Sequence, residues 1–233
     1  MAIDLRDVPQ NKQNYEMCLA SVKVNGRQLE FVREDLQTQE LCLAAITTNR
    51  WDPDILSYVK VQTPEICLAA VRKWGNALQY VKDQTPEICL EAIKQNGFAL
   101  KYVKNQTPEI CLEAVKKDVW ALEFVKEQTP ELCLATVKQN GNTIRYVKDP
   151  TPEIRLTAVK QAGWALRFIP KREQTLSIAL AALKQDPDSR EYLADKFRTP
   201  EVYKAAGYDY KPEDLAPLRR TTELDRTELK HGW

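Results

Sequence analysis

The chain has one histidine, two methionines and only seven glycines in its 233 residues. Each scarcity closes off a class of protein. The single imidazole, His231, is the third residue from the end. No serine or cysteine therefore has a credible general base unless the chain folds His231 back onto it. Seven glycines leave little material for phosphate-cradling loops, and neither G-x-G-x-x-G nor G-x-x-x-x-G-K-[ST] occurs. No apolar run approaches the roughly 20 residues that cross a bilayer. The opening Met1-Ala2-Ile3-Asp4-Leu5-Arg6-Asp7 carries acids and no apolar stretch, which argues against a secretory leader. Net charge is also missing: 34 Lys and Arg stand against 33 Asp and Glu, a balance of +1. Any attraction to a polyanion must then come from how the charges are arranged. The expectation is a non-enzymatic protein that needs no cofactor, touches no membrane and works in a cytoplasm, of the producing cell or of a host.

What is abundant is self-similarity, which is checked first because it decides the fold. Thr-Pro-Glu recurs at residues 63, 85, 107, 129 and 151, each 22 residues from the last. Thr63 to Gln84 reads TPEICLAAVRKWGNALQYVKDQ, and Thr85 to Gln106 reads TPEICLEAIKQNGFALKYVKNQ. The units are 14–37, 38–62, 63–84, 85–106, 107–128, 129–150, 151–174 and 175–197. Residues 1–13 are a lead-in, and 198–233 hold a partial repeat from Thr199-Pro200-Glu201 and a cap or tail. In that tail, Thr221 to Lys230 suits one amphipathic helix.

Each unit announces two helices. Thr is an N-cap and Pro takes the first helical position, where its missing N–H costs nothing. Glu87 opens and Lys94 closes the first helix of its unit, matching the helix dipole. Gly75, Gly97, Gly141 and Gly163 are candidate C-caps. A shorter second helix follows, as in Ala99-Leu100-Lys101-Tyr102-Val103. The apolar residues Ile88, Cys89, Leu90, Ala92 and Ile93 cover more than one stripe. Such a helix must meet neighbours on several sides, which stacked copies supply. The expected fold is an all-α solenoid of about eight stacked two-helix repeats with a C-terminal capping segment. Arg50-Trp51-Asp52-Pro53-Asp54 carries a three-residue insertion that should bulge between the helices of unit two.

The six cysteines, Cys18, Cys42, Cys67, Cys89, Cys111 and Cys133, all hold the fifth place of their repeat. Equivalent places in neighbouring units lie about 10 Å apart, beyond the roughly 7 Å Cα limit for a disulfide. No C-x-x-C or Cys/His pairing offers a zinc set, so no metal is expected. They read as small buried apolar residues in a reducing compartment. The recurrent Glu65, Glu87, Glu109, Glu131 and Glu153 read as helix N-terminal charge.

If repeated positions build the core, varied positions report the surface. Large aromatics gather at the loop between the helices: Trp51, Trp74, Phe98, Trp120 and Trp164. Such rings serve as anchors for a protein partner; alternatively each folds over the next hairpin and seals the stack. A varied strip in the second helix, Gln79, Lys101, Glu123, Arg145 and Arg167, drifts toward basic. Two lysine rails run along the repeats: Lys94, Lys116, Lys138 and Lys160, and Lys82, Lys104, Lys126 and Lys148. Paired rails suit a phosphate backbone, but the acidic row compensates them.

The pattern TPEICLxAVKxxGxALxYVKxQ resembles a family of short helical-hairpin repeats catalogued only as a domain of unknown function, seen in bacterial, phage and giant-virus proteins. The resemblance spans about residues 14–197. It implies stacked hairpins and carries no catalytic motif. The functional expectation is a protein-binding scaffold, an inhibitor or adaptor that occludes a partner protein. Nucleic-acid or polyanion binding along the lysine rails is the second reading.

Overall fold

The structure is a computed structural model that describes residues 3–48 and 52–208. The described α-helices are α1 (Tyr15–Val24), α2 (Gln39–Thr48), α3 (Pro64–Lys73), α4 (Pro86–Gln95), α5 (Pro108–Lys117), α6 (Pro130–Gln139), α7 (Pro152–Gln161), α8 (Leu176–Gln185) and α9 (Pro200–Ala205). After each of α1–α8 comes a six-residue 3-10 helix, for example Gly97–Tyr102 after α4 and Gly163–Phe168 after α7. No strand occurs among the described residues, and the fold is an all-α solenoid of stacked helix pairs.

Unit α4 shows why these residues fold this way. Thr85 Oγ1 accepts the N–H of Ile88 at 3.3 Å, so one orphan donor of the helix start is satisfied. Pro86 takes the first helical position and Asn96 ends the helix in an extended conformation. Asn96 then caps the 3-10 helix, its Oδ1 accepting the N–H of Phe98 at 3.0 Å. Gly97, Leu100 and Val103 are buried three residues apart. A three-residue period is that of the 3-10 helix, where side chains at i and i+3 lie above one another. The shorter second helix of each repeat is accordingly 3-10 and not α.

The chain divides into two compact units, Met1–Glu127 and Gln128–Trp233. In the first, α1–α5 lie side by side in one layer and their 3-10 helices in another. In the second, α6–α9 form the corresponding layer. The core lies between the layers. In repeat four it consists of Ile88, Cys89, Ala92, Ile93, Ala99, Leu100 and Val103, each at most 3% exposed.

Two expectations from sequence are corrected. The glycines do not cap α-helices in the left-handed region: among the described residues only Gly207 has a positive φ, of 81°. They begin the 3-10 helices, because the next repeat comes too close for a side chain. A Cβ on Gly75 would stand 2.5 Å from the Ala92 carbonyl oxygen, and one on Gly141 2.2 Å from that of Ala158. The leucine at the sixth place is not core either. Leu90 is half-buried and Leu112 is 38% exposed. On α4 and α5 the buried positions run i, i+1, i+4, i+5, and the sixth place lies at the margin of that stripe.

Of the insertion in unit two, residues 49–51 lie outside the described residues. Asp52 is buried and ion-pairs with Arg27 of the preceding repeat. Asp54 accepts the Tyr80 hydroxyl at 2.5 Å, which pushes the phenol up to about 12. At the other end, Thr199 Oγ1 caps Val202 at the start of α9, and Tyr203 is fully buried. His231 and the stretch Thr221 to Lys230 lie outside the described residues.

Candidate binding surfaces

The surface is set by a device that joins one repeat to the next. Six of the eight repeats end in a glutamine: Gln37, Gln62, Gln84, Gln106, Gln128 and Gln174. Gln84 shows its role. Its Nε2 donates to the Leu78 carbonyl at 3.2 Å in its own repeat and to the Tyr102 carbonyl at 2.9 Å in the next. Its Oε1 accepts the Lys104 N–H at 2.9 Å and lies 3.9 Å from Cys89 Sγ. Gln62 and Gln106 do the same in the first unit. In the second unit Gln174 joins Ile169, Tyr192 and Ala194. The invariant spacing of Gln and Cys, five residues, was the available signal.

The cysteines are free and buried. Burial raises every thiol, Cys42 to about 11. The fifth place is small and inward-facing, and its sulfur faces the carboxamide oxygen of the staple. Among the described residues no group of three His, Cys, Asp or Glu is arranged to hold a metal ion. No described helix is long and apolar enough to cross a membrane.

The loop aromatics take several positions. Trp51 lies outside the described residues. Trp74 ends α3, half-buried, with Lys73 Nζ 4.6 Å from its ring centroid. Phe98 meets Phe124 of the next repeat edge-to-face at 6.0 Å. Trp120 is half-buried, and its backbone N–H donates to Asp118 Oδ1 at 2.9 Å. Trp164 is 39% exposed and lies 5.6 Å from the Tyr192 ring of the next repeat. Phe98 and Trp164 thus lean on the following hairpin, and Trp164 also keeps a face to solvent.

The rails differ from two free rows of charge. Lys82 Nζ donates to the Lys60 carbonyl at 3.1 Å and Lys104 Nζ to that of Lys82 at 2.7 Å. Lys126 Nζ donates to the Lys104 carbonyl at 2.9 Å. Lys148 is exposed and its backbone N–H donates to Gln128. On the other rail Lys94 pairs with Glu91 at 2.7 Å and Lys116 with Glu113 at 2.8 Å. Lys138 and Lys160 are exposed, and Ala135 and Thr157 stand where those glutamates stood. The charge is therefore uneven. Residues 1–127 hold 16 Lys and Arg against 18 acids, and residues 128–208 hold 13 against 9.

In the second unit the second-helix strip and the rings combine. The Arg145 guanidinium lies 4.9 Å from the Tyr146 ring and 5.7 Å from that of Phe168. Arg167 lies 5.2 Å from Phe168 and 5.8 Å from Tyr192. Guanidinium and ring alternate along one exposed face. The same strip in repeats three and five carries Gln79 and Glu123.

The repeat that builds these surfaces has known relatives. Residues 63–107, 85–129 and 107–151 match the model of a domain of unknown function, DUF4116. Together the matches cover residues 63–151, the central repeats. Each match spans two hairpins and advances by one repeat, as the period requires. No curated protein and no solved structure matches the chain. The staple glutamines Gln84, Gln106 and Gln128 all fall inside the DUF4116 matches.

Proposed function

We propose that the chain is a non-enzymatic protein-binding scaffold, an inhibitor or adaptor that occludes a partner protein through the outer face of its last repeats. The alternation of Arg145, Arg167, Tyr146, Phe168, Tyr192 and Trp164 carries this reading. Arginine, tyrosine and tryptophan are the residues that most often anchor protein interfaces. A guanidinium laid on a ring keeps its N–H edges for a partner's carboxylates and carbonyls, and the ring holds it in place before binding. Six buried free thiols fit a reducing compartment, the cytoplasm of the producing cell or of a host.

Nucleic acid is the weaker reading, because three ammonium groups of one rail are spent on carbonyls and two of the other on glutamates. Trp164→Ala tests the scaffold. Partner capture from the native cell or its host is expected to fall with an unchanged helical circular dichroism signal. Capture independent of Trp164, with oligonucleotide binding that collapses as salt rises, would favour the second reading instead.

A further inference from the structure

One staple is missing, and three substitutions account for it together. Pro150 stands where Gln84, Gln106 and Gln128 stand in their repeats. Each of those glutamines accepts an N–H from the residue twenty positions on. Twenty positions after Pro150 is Pro170, which has no N–H to give. The third change is Arg155 in place of cysteine. Donor, acceptor and the thiol beside them are all replaced at one junction within the second unit.

The consequence is a cleft. Between repeats three and four the corresponding groove, crossed by Gln84, holds about 330 Å³ and is lined by Lys82, Asp83, Cys89 and Lys104. At the Pro150 junction the cleft holds about 670 Å³. Its walls bring five cations, Arg145, Lys148, Arg155, Arg167 and Arg172, against two acids, Asp149 and Glu173. Arg155 is the most buried of the cations whose ion pairs are known there. Its side chain is only 17% exposed, and Nη2 lies 2.5 Å from Glu173 Oε2. Its Nε is buried and meets no acceptor. A buried guanidinium N–H without a partner is costly, so a further oxygen acceptor on this side chain would be favourable. Glu173 meanwhile shows which chemistry this guanidinium accepts, a carboxylate from the same chain.

We propose that this cleft is an oxyanion seat for an acidic peptide, taking a phosphomonoester or carboxylate side chain on Arg155 in competition with Glu173. A guanidinium edge binds either group through paired charge-assisted hydrogen bonds. Excess positive charge in the walls favours the doubly charged phosphomonoester. A peptide fits better than a nucleic acid, because there is one such seat rather than a row at backbone spacing. Asp149 and Glu173 would also repel a continuous phosphodiester chain. The seat rests on the protein-binding reading and adjoins its arginine–aromatic face, since Arg145, Arg167 and Phe168 belong to both.

The test uses the full chain and fluorescence anisotropy with a labelled short peptide bearing one phosphoserine beside a tyrosine. Its glutamate and serine counterparts, and a single-stranded oligonucleotide, are the comparison probes. The expected order is phosphoserine, then glutamate, with serine weakest. Arg155→Gln is expected to weaken phosphopeptide binding by about tenfold or more, the scale of a lost hydrogen bond to a charged group. Glu173→Gln is expected to strengthen it, a gain that a purely structural Arg155–Glu173 pair would not produce. Restoring the staple with Pro150→Gln, Arg155→Cys and Pro170→Lys should give a well-folded chain that no longer distinguishes phosphoserine from serine. Equal phosphopeptide binding by wild type and Arg155→Gln overturns the seat, as does an oligonucleotide that binds with the same Arg155 dependence. If the seat fails while partner capture still depends on Trp164, the scaffold reading survives without it.

Discussion

The side-chain oxygen of Gln84 accepts the backbone N–H of Lys104, one repeat further on, at 2.9 Å. The amide end of the same side chain reaches the Tyr102 carbonyl, so one residue satisfies both polarities of its neighbour's backbone. The loops between hairpins have few other partners for these groups. Packing supplies adhesion between repeats and the glutamine supplies register.

Gln84→Ala should cost about 1–3 kcal/mol, the penalty for stranding part-buried polar groups. Gln84→Glu keeps the acceptor but loses both donors, and should cost a similar amount. Urea denaturation of the two variants checks this. A change below about 0.5 kcal/mol, the range of ordinary surface substitutions, would show that water replaces the carboxamide.

Gly75→Ala should destabilise by about 1–3 kcal/mol, the usual cost of forcing a methyl into filled space. The opposing atom is the Ala92 carbonyl oxygen, which is backbone and cannot rotate away. The φ of Gly75 is not positive, so backbone strain plays no part. A neutral effect in thermal melting would mean that the repeats slide apart freely.

Leu122 is fully buried, whereas Leu112 is 38% exposed. Leu122→Ala should cost about 2–5 kcal/mol, and Leu112→Ala less than about 1 kcal/mol. Comparable losses in urea titrations would contradict this division between core and margin.

Alkaline pH should weaken the fold. Burial lifts Cys42 from 9.0 to about 11, and the hydrogen bond to Asp54 lifts Tyr80 from 10.0 to about 12. Both are neutral acids favoured in the folded state. Their contribution is complete below the unfolded values and is lost as pH rises through the folded ones. Denaturation midpoints should fall between pH 9 and 12. The thiols should react slowly with iodoacetamide at pH 8 until denaturant is added. Fast native alkylation of Cys42 would refute its burial.

The hairpins were legible because their signals are local. Thr85 at the cap, Pro86 behind it and the 22-residue return of both depend only on nearby chain. The 3-10 character of the second helix was also written in the spacing of Gly97, Leu100 and Val103, but an α-helical period is the ordinary expectation for an apolar run after a turn. Gly75 was placed correctly at the junction and given the wrong reason. Its constraint comes from Ala92, seventeen residues away, which no local rule reports.

By itself the sequence determined the repeat, its helix starts and the all-α stack, since caps, periodicity and copy number act over short distances. Tertiary structure alone decided how repeats engage: the glutamine staple, the lysines spent on carbonyls, and the cleft opened where Pro150, Arg155 and Pro170 coincide. Those residues are up to twenty positions apart, and their chemistry becomes one site only when stacking sets neighbouring hairpins side by side.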